Sequence, residues 1–293
     1  MTHFMTKRLF FRFMMMVTLL VVLFTVSRCA AEIVVPSIST DFVYKADILS
    51  IDNFHDESRG KFLGEQLSKT IFSYTLAGKT GGVYLLNNIF DVKTLSGKPI
   101  FNTTRIYAVD RAGRHVPGHG DKDRTGYLFG PRNLKSEQPF TYWHINYDEP
   151  ARMKFKSQET INDLVVYRYE ADYHADQTSD LAHLPGVGVE HGINLDINLK
   201  LWIEPMTGRM IKYEDSATAY YYNLTTNERI HPWNQFSNRL TASSIAEQVD
   251  IAKTAKHKIL MIRWGVPAVL VFVGLIAAHF VNRRTYLKKG RKA

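Results

Sequence analysis

The chain carries eleven histidines, and two groups of them lie beside carboxylates in stretches containing Gly and Pro. His115, His119 and Asp121 share the segment RHVPGHGD, and His174, Asp176, Asp180, His183 and His191 share a second stretch. Imidazole nitrogens and carboxylate oxygens are the donors that hold zinc and similar ions. His115, His119 and Asp121 are therefore the metal candidates, but by residue type alone. Their spacing fits no fixed ligand set, and glycine-rich loops commonly carry solvated His and Asp. No cofactor is expected. The run Ala77-Gly78-Lys79-Thr80 ends like a phosphate-binding loop, yet Ser73 stands where such a loop needs Gly. No Gly-x-Ser-x-Gly elbow and no His-Glu-x-x-His pair occurs. No catalytic residue emerges, and the expectation is a protein that is not an enzyme. Asn102-Thr103-Thr104 and Asn223-Leu224-Thr225 match the acceptor triplet for N-glycosylation, a match that chance supplies in a chain this long.

The elements that would position these residues can be read from the charge pattern. The net charge is +9, a value that unplaced would suggest nucleic acid or an anionic surface as partner. Residues 1–31 hold Lys7, Arg8, Arg12 and Arg28 and no acid, and from Arg263 onward there are seven basic residues and again no acid. The region between holds 26 Lys and Arg against 28 Asp and Glu, so it is slightly acidic and no nucleic acid partner is expected. The excess positive charge flanks apolar segments.

From Trp264 to Val281 the chain runs 18 residues without a charge. As a helix this spans ~27 Å, close to a hydrocarbon core of about 30 Å. Arg263 can snorkel at one end, Trp264 suits the interface, and the tail RRTYLKKGRKA marks residues 282–293 as cytoplasmic by the positive-inside rule. Near the N-terminus, Phe13 to Ser27 is an uncharged run of 15 residues behind Lys7, Arg8 and Arg12. Such a run serves as the core of a secretory signal or, extended over residues 13–31, as a transmembrane helix. Either choice exports the central region. Cys29 is the only cysteine, so the exported domain must be held by its own core.

Residues 32–240 read as mostly strand. Val83–Lys93, Ile100–Asp110, Met153–Lys156, Leu164–Tyr173, Ile193–Ile203 and Arg209–Tyr222 are rich in β-branched and aromatic residues with partial alternation. In INLDINLKLWI the apolar residues recur at period two throughout, so one face of that strand is buried, and EPMTGRM then turns into a hairpin with Gly208 at a positive φ. Arg111–Asp123 and Thr178–Gly192 are loops. From Thr241 the period becomes helical, with Ile245, Val249, Ala252 and Ile259 on one side and Ser243 or Ser244 as N-cap. A stalk helix over 241–263 is expected to run directly into the span at 264–281, making ~60 Å of helix. The fold class is thus α+β: a β-rich extracytoplasmic domain between two terminal transmembrane helices, with a helical stalk leading into the second and both termini, 1–12 and 282–293, cytoplasmic.

The order of several segments carries a family resemblance. VDRAGR at Val109–Arg114, TGYLFGP at Thr125–Pro131, PFTYW at Pro139–Trp143, EPARMKFKSQETINDLVVYRYEA and LWIEPMTGRMIKYED at Leu201–Asp215 occur in sequence, with the stalk and span from Ile245 to Gly274 after them. In this arrangement the chain resembles the prokaryotic porin PorA family, also grouped as DUF3068. The resemblance implies an N-terminal membrane segment, a β-rich exported domain and a C-terminal helix with a basic tail. It supplies no catalytic residues. The functional expectation is a membrane-anchored cell-envelope protein, with the bilayer as partner, that binds a lipid, a glycan or another envelope protein. The family label adds an oligomeric channel as alternative, and an exported enzyme is the second alternative.

Overall fold

The computed structural model describes the backbone of residues 2–178 and 190–276, with side chains from Met14 onward. The chain divides into two units, residues 37–253 and the terminal stretches 1–36 with 254–293.

The first unit is built on eleven strands: β1 (Val43–Asp56), β2 (Lys61–Phe62), β3 (Gln66–Thr80), β4 (Val83–Thr94), β5 (Pro99–Val109), β6 (Phe140–His144), β7 (Glu149–Ile161), β8 (Leu164–Asp176), β9 (His191–Ile203), β10 (Met210–Asn223) and β11 (Arg229–Leu240). Every pairing between them is antiparallel, in the order β5-β4-β3-β1-β11-β10-β9-β8-β7-β6, with the short β2 beside β1. Single bridges Val109↔His115, Arg114↔Tyr127 and Tyr127↔Tyr142 carry the pairing from β5 across the 111–127 loop to β6, so the sheet curls round one core.

The alternation read in the sequence places that core. Ile193, Leu195, Ile197, Leu199, Leu201 and Ile203 of β9 are all buried, since successive side chains point to opposite faces of a sheet. Opposite them across β10 stand Tyr213, Ala217 and Ala219, and across β8 Tyr169, Ala171 and Ala175. Six tyrosines, Tyr44, Tyr74, Tyr107, Tyr142, Tyr169 and Tyr213, are fully enclosed. Small residues beside these rings let the two sides of the curl interdigitate. The β9–β10 turn carries Gly208 at φ 73°, and a Cβ there would lie 2.3 Å from the Gly130 carbonyl oxygen, so only glycine fits.

One lock sits in the interior. The buried Arg124 donates from Nε to Asp148 Oδ1 at 2.7 Å and from Nη1 to Asp121 Oδ1 at 2.5 Å, while Trp143 Nε1 donates to the same Asp148 oxygen at 2.7 Å. Its guanidinium lies 4.0 Å over the Tyr107 ring. Burial alone would raise the Asp148 carboxyl, but the bonds from Arg124 and Trp143 outweigh it and bring it down to about 2. The pair ties the 111–124 loop to the turn after β6.

Helix α1 covers Thr2–Val34, and α2 covers Ala242–Leu260 before a π turn at Met261–Gly265. The N-cap of α2 is Thr241, whose hydroxyl accepts from Ser244 N at 3.3 Å. Neither expected serine takes that role, because the Ser244 hydroxyl accepts from Asp47 N at 2.8 Å. The first turns of α2 are also no free stalk. Val249 and Ala252 are buried against Val166, Trp202 and Ile211 on the outer face of the sheet, and Gln248 Nε2 donates to Lys45 O at 3.1 Å. The apolar side that the helical period exposed is thus partly a packing surface of the domain.

The terminal unit has another character. Met14–Val34 (mean hydropathy 2.0) and an 18-residue window of Ala242–Ile276 (2.2) are long and apolar enough to cross a membrane, and the first also has the position and composition of a signal sequence. Thr18 and Thr25 return their hydroxyls to Met14 O and Val21 O at 3.0 and 2.9 Å, so the helix satisfies its own polar groups. Phe24 meets Trp264 edge to face with ring centroids 4.7 Å apart, and Arg263 Nη2 reaches Glu32 Oε1 at 2.6 Å.

Candidate functional site

The metal candidates do not converge. His115 is buried between Tyr107 and Trp143, with ring centroids at 5.6 and 6.0 Å. Burial and the nearby Arg124 charge push its pKa down to about 4, so it is a neutral core residue at pH 7. His119 is exposed. Asp121 accepts from Ile106 N at 2.7 Å as well as from Arg124. Among the described residues no group of three or more His, Cys, Asp or Glu could hold a metal ion. In the second stretch His174 pairs with Asp196 at 2.6 Å and Asp176 accepts from Tyr222 at 2.8 Å, while Asp180 and His183 lie outside the described residues. The phosphate-loop-like run ends strand β3, with Lys79 and Thr80 paired to Tyr84 and Val83, and precedes a hairpin where a phosphate loop would precede a helix.

No motif pointed to the site that the curl of the sheet creates. A cavity of about 220 Å³ opens inside the end of the sheet where β1, β3, β4 and β11 pair Asp52 with Gln66, Ser68 with Thr94 and Phe54 with Asn234. This end is remote from Val43 and Leu240, where the chain enters and leaves the sheet. Phe90, Val92, Leu195, Trp233 and Phe236 form an apolar wall, and Ser50, Asp52, Ser68, Thr70, Asn146, Gln177 and Asn234 supply polar groups. No Lys, Arg or His lines it among the described residues. Most of the polar groups hold one another: Asn234 Nδ2 donates to Asp52 Oδ1 at 2.9 Å, and Gln177 Nε2 donates to Tyr147 O at 3.0 Å. Burial holds the Asp52 carboxyl above its ordinary range against the opposing bond from Asn234. The buried Ser68 hydroxyl and Asn146 Oδ1 have no partner among the described residues.

Asn146 joins the cavity to a network behind it. Tyr213 donates to Asp215 Oδ2 at 2.7 Å, and Asn146 Nδ2 reaches the Tyr213 oxygen at 2.9 Å and the same carboxylate oxygen at 3.0 Å. His144 Nε2 lies 2.7 Å from the Tyr213 hydroxyl, and its Nδ1 bonds the Tyr173 hydroxyl. Since the one Tyr213 proton goes to Asp215, its oxygen must accept from His144 Nε2–H. Burial first and the Asp215 charge second hold the Tyr147, Tyr173 and Tyr213 hydroxyls well above their usual range, so they stay donors. The network fixes the Asn146 side chain.

A larger hollow of about 520 Å³ lies on the outer face of β8, β9, β10, β11 and β1. Its walls bond each other, Asn198 to Asp172 at 2.7 Å and His174 to Asp196, and its lining is more polar than that of the inner cavity. The inner cavity is the better candidate.

No curated protein matches the chain. The apolar helices fit a membrane-anchored envelope protein. A model built for the family described as Porin PorA matches residues 50–280, from the middle of β1 into the C-terminal apolar segment, and the chain belongs to that family.

Proposed function

We propose that this is a non-enzymatic envelope protein, two-pass with both termini in the cytoplasm, whose central domain holds part of a lipid, glycan or protein ligand in the cavity beside Asn146. The observation that carries this reading is the cavity's make-up: an apolar wall together with two lining residues, Ser68 and Asn146, that each hold a buried polar atom without a partner among the described residues. At about 220 Å³ it is smaller than the ~300–1,000 Å³ that encloses a whole small ligand. It takes one end of a ligand and leaves the rest outside. With Asp52 in its lining and no basic side chain among the described residues there, it favours an end without a free anionic group.

The family's name favours a second reading, a channel. The direction of the side chains opposes it. A membrane barrel turns an apolar band outward, whereas here β9 and β10 turn outward Asn194, Asp196, Asn198 and Lys200 and Lys212, Glu214, Ser216 and Thr218. In planar bilayers the purified chain should give no conductance above background. Reproducible unitary steps would replace the ligand-holding reading with the channel. Protease added to sealed spheroplasts should digest the central domain and spare an epitope fused after Ala293; digestion of that epitope would overturn the orientation.

A further inference from the structure

Helix α1 has two unlike sides. Met15, Leu19, Val22, Val26 and Ile33 follow one another at three, four or seven residues along one side, and each is 51 to 63% exposed. Phe24, Ser27 and Ala31 recur at i, i+3 and i+7 on the other, where Ser27 and Ala31 are buried. Small residues on one side of an apolar helix let a second helix come close. The C-terminal segment is that second helix: α1 packs on the π turn Met261–Gly265, where Trp264 meets Phe24 edge to face and Arg263 Nη2 donates to Glu32 Oε1 at 2.6 Å. Beyond the turn Pro267 is buried and Val271, four residues on, is half-buried, whereas Val269, Phe272, Val273 and Leu275 are 55 to 65% exposed.

We infer that α1 is kept in the mature protein as the fixed partner of the C-terminal span and is not removed as a secretory signal. The first ground is the backbone at the only small-residue cluster suited to a cut. Cys29-Ala30-Ala31 has the residue sizes of a cleavage site, but α1 runs unbroken through it to Val34, and Ala31 is fully buried. Proteolysis favours exposed, irregular backbone. The second ground is what a cut would undo. Cleavage after Ala31 would strip Phe24 from Trp264 and set a new terminal ammonium on Glu32, beside the Arg263 guanidinium. The third is the physics of helices in lipid, where apolar surface alone gives no drive to associate and close packing with polar pairs supplies it. This pair has both, with small residues on α1 and a carboxylate reaching an Arg263 side chain that is only 12% exposed. The pairing rests on the two-pass reading and extends it from topology to a contact between the two spans.

The test uses the full chain with one epitope before Thr2 and another after Ala293, in spheroplasts that carry their own signal peptidase. The mature chain should keep both epitopes, a readout that needs no substitution. In a Cys29→Ser background, a short bis-methanethiosulfonate linker should join Phe24→Cys to Trp264→Cys. After external protease has removed the central domain, both epitopes should then run in one band. Val26→Cys in place of Phe24→Cys, on the exposed side of α1, should lose that band. Glu32→Arg should lower its yield, and Arg263→Glu added to Glu32→Arg should restore it, as a paired contact requires and a local loss of structure at either site does not. A mature chain without its N-terminal epitope, equal joining through Val26→Cys, or joining only between co-expressed chains that carry one epitope each would overturn the inference. Digestion of the C-terminal epitope would instead overturn the orientation. Neither result bears on whether the cavity retains a ligand, which is read from bound mass.

Discussion

The two units use the same apolar residue types in opposite ways. In the terminal helices Met15, Val26, Val269 and Phe272 are each about 60% exposed or more, while in the domain the corresponding side chains point into the curl and polar ones face out. The difference lies in the solvent each surface must meet. A helix satisfies its backbone internally and can present apolar side chains to lipid all round. A sheet in water must bury one face, so its alternation separates core from surface.

Breaking the interior lock should give the largest effect. Arg124→Ala leaves Asp148 buried with a lost counter-charge, and unfolding of the domain should become easier by about 3–5 kcal/mol. Denaturant titration reads this, and a change under about 1 kcal/mol would mean that the 111–124 loop is not part of the core. Next comes a pH effect confined to the domain. His115 takes up a proton below about 6.5 when unfolded but only near 4 when folded. Stability should therefore fall as pH drops from about 6.5 to about 4, by up to about 3 kcal/mol from this residue, and fall further below about 4 as Asp148 takes up its proton. His115→Phe should remove that slope, and a slope unchanged in the variant would place its origin elsewhere. Gly208→Ala comes third, at about 2 kcal/mol, since it meets both the positive φ and the Gly130 carbonyl; an unchanged Tm would show that the turn can relax. The smallest expectation is none: EDTA should leave the Tm where it was, and a drop of several degrees would bring the loop histidines back as ligands.

Much of the fold was legible because alternation and turn chemistry are local. Ile193–Ile203 became β9, and the turn at Gly208 came out as a hairpin with the expected positive φ. The strands that the pattern did not disclose have a physical excuse. β11, RIHPWNQFSNRL, carries Pro232 and polar residues at irregular intervals, and its pairing with β10 shifts register between Ala219 and Tyr220. β3 holds the Gly78-Lys79-Thr80 run that looks like a loop. The candidate site was not legible at all. Ser68, Asn146 and Trp233 are far apart in sequence and meet only because the sheet curls, and no spacing rule connects them. His144 was not singled out for the same reason: its partners Tyr173, Tyr213 and Asp215 come from other strands. The histidines that stood out did so by neighbouring carboxylates in sequence, and of these Asp121 and Asp176 bond elsewhere.

Retention of a ligand by the cavity beside Asn146 is the central claim, and native mass spectrometry of the full chain released from lipid nanodiscs tests it most directly. The parent chain should carry a bound mass that is lost when Val92→Trp fills the cavity, with the variant folded by circular dichroism. A parent chain with no bound mass, or a bound mass that survives Val92→Trp undiminished, would contradict it.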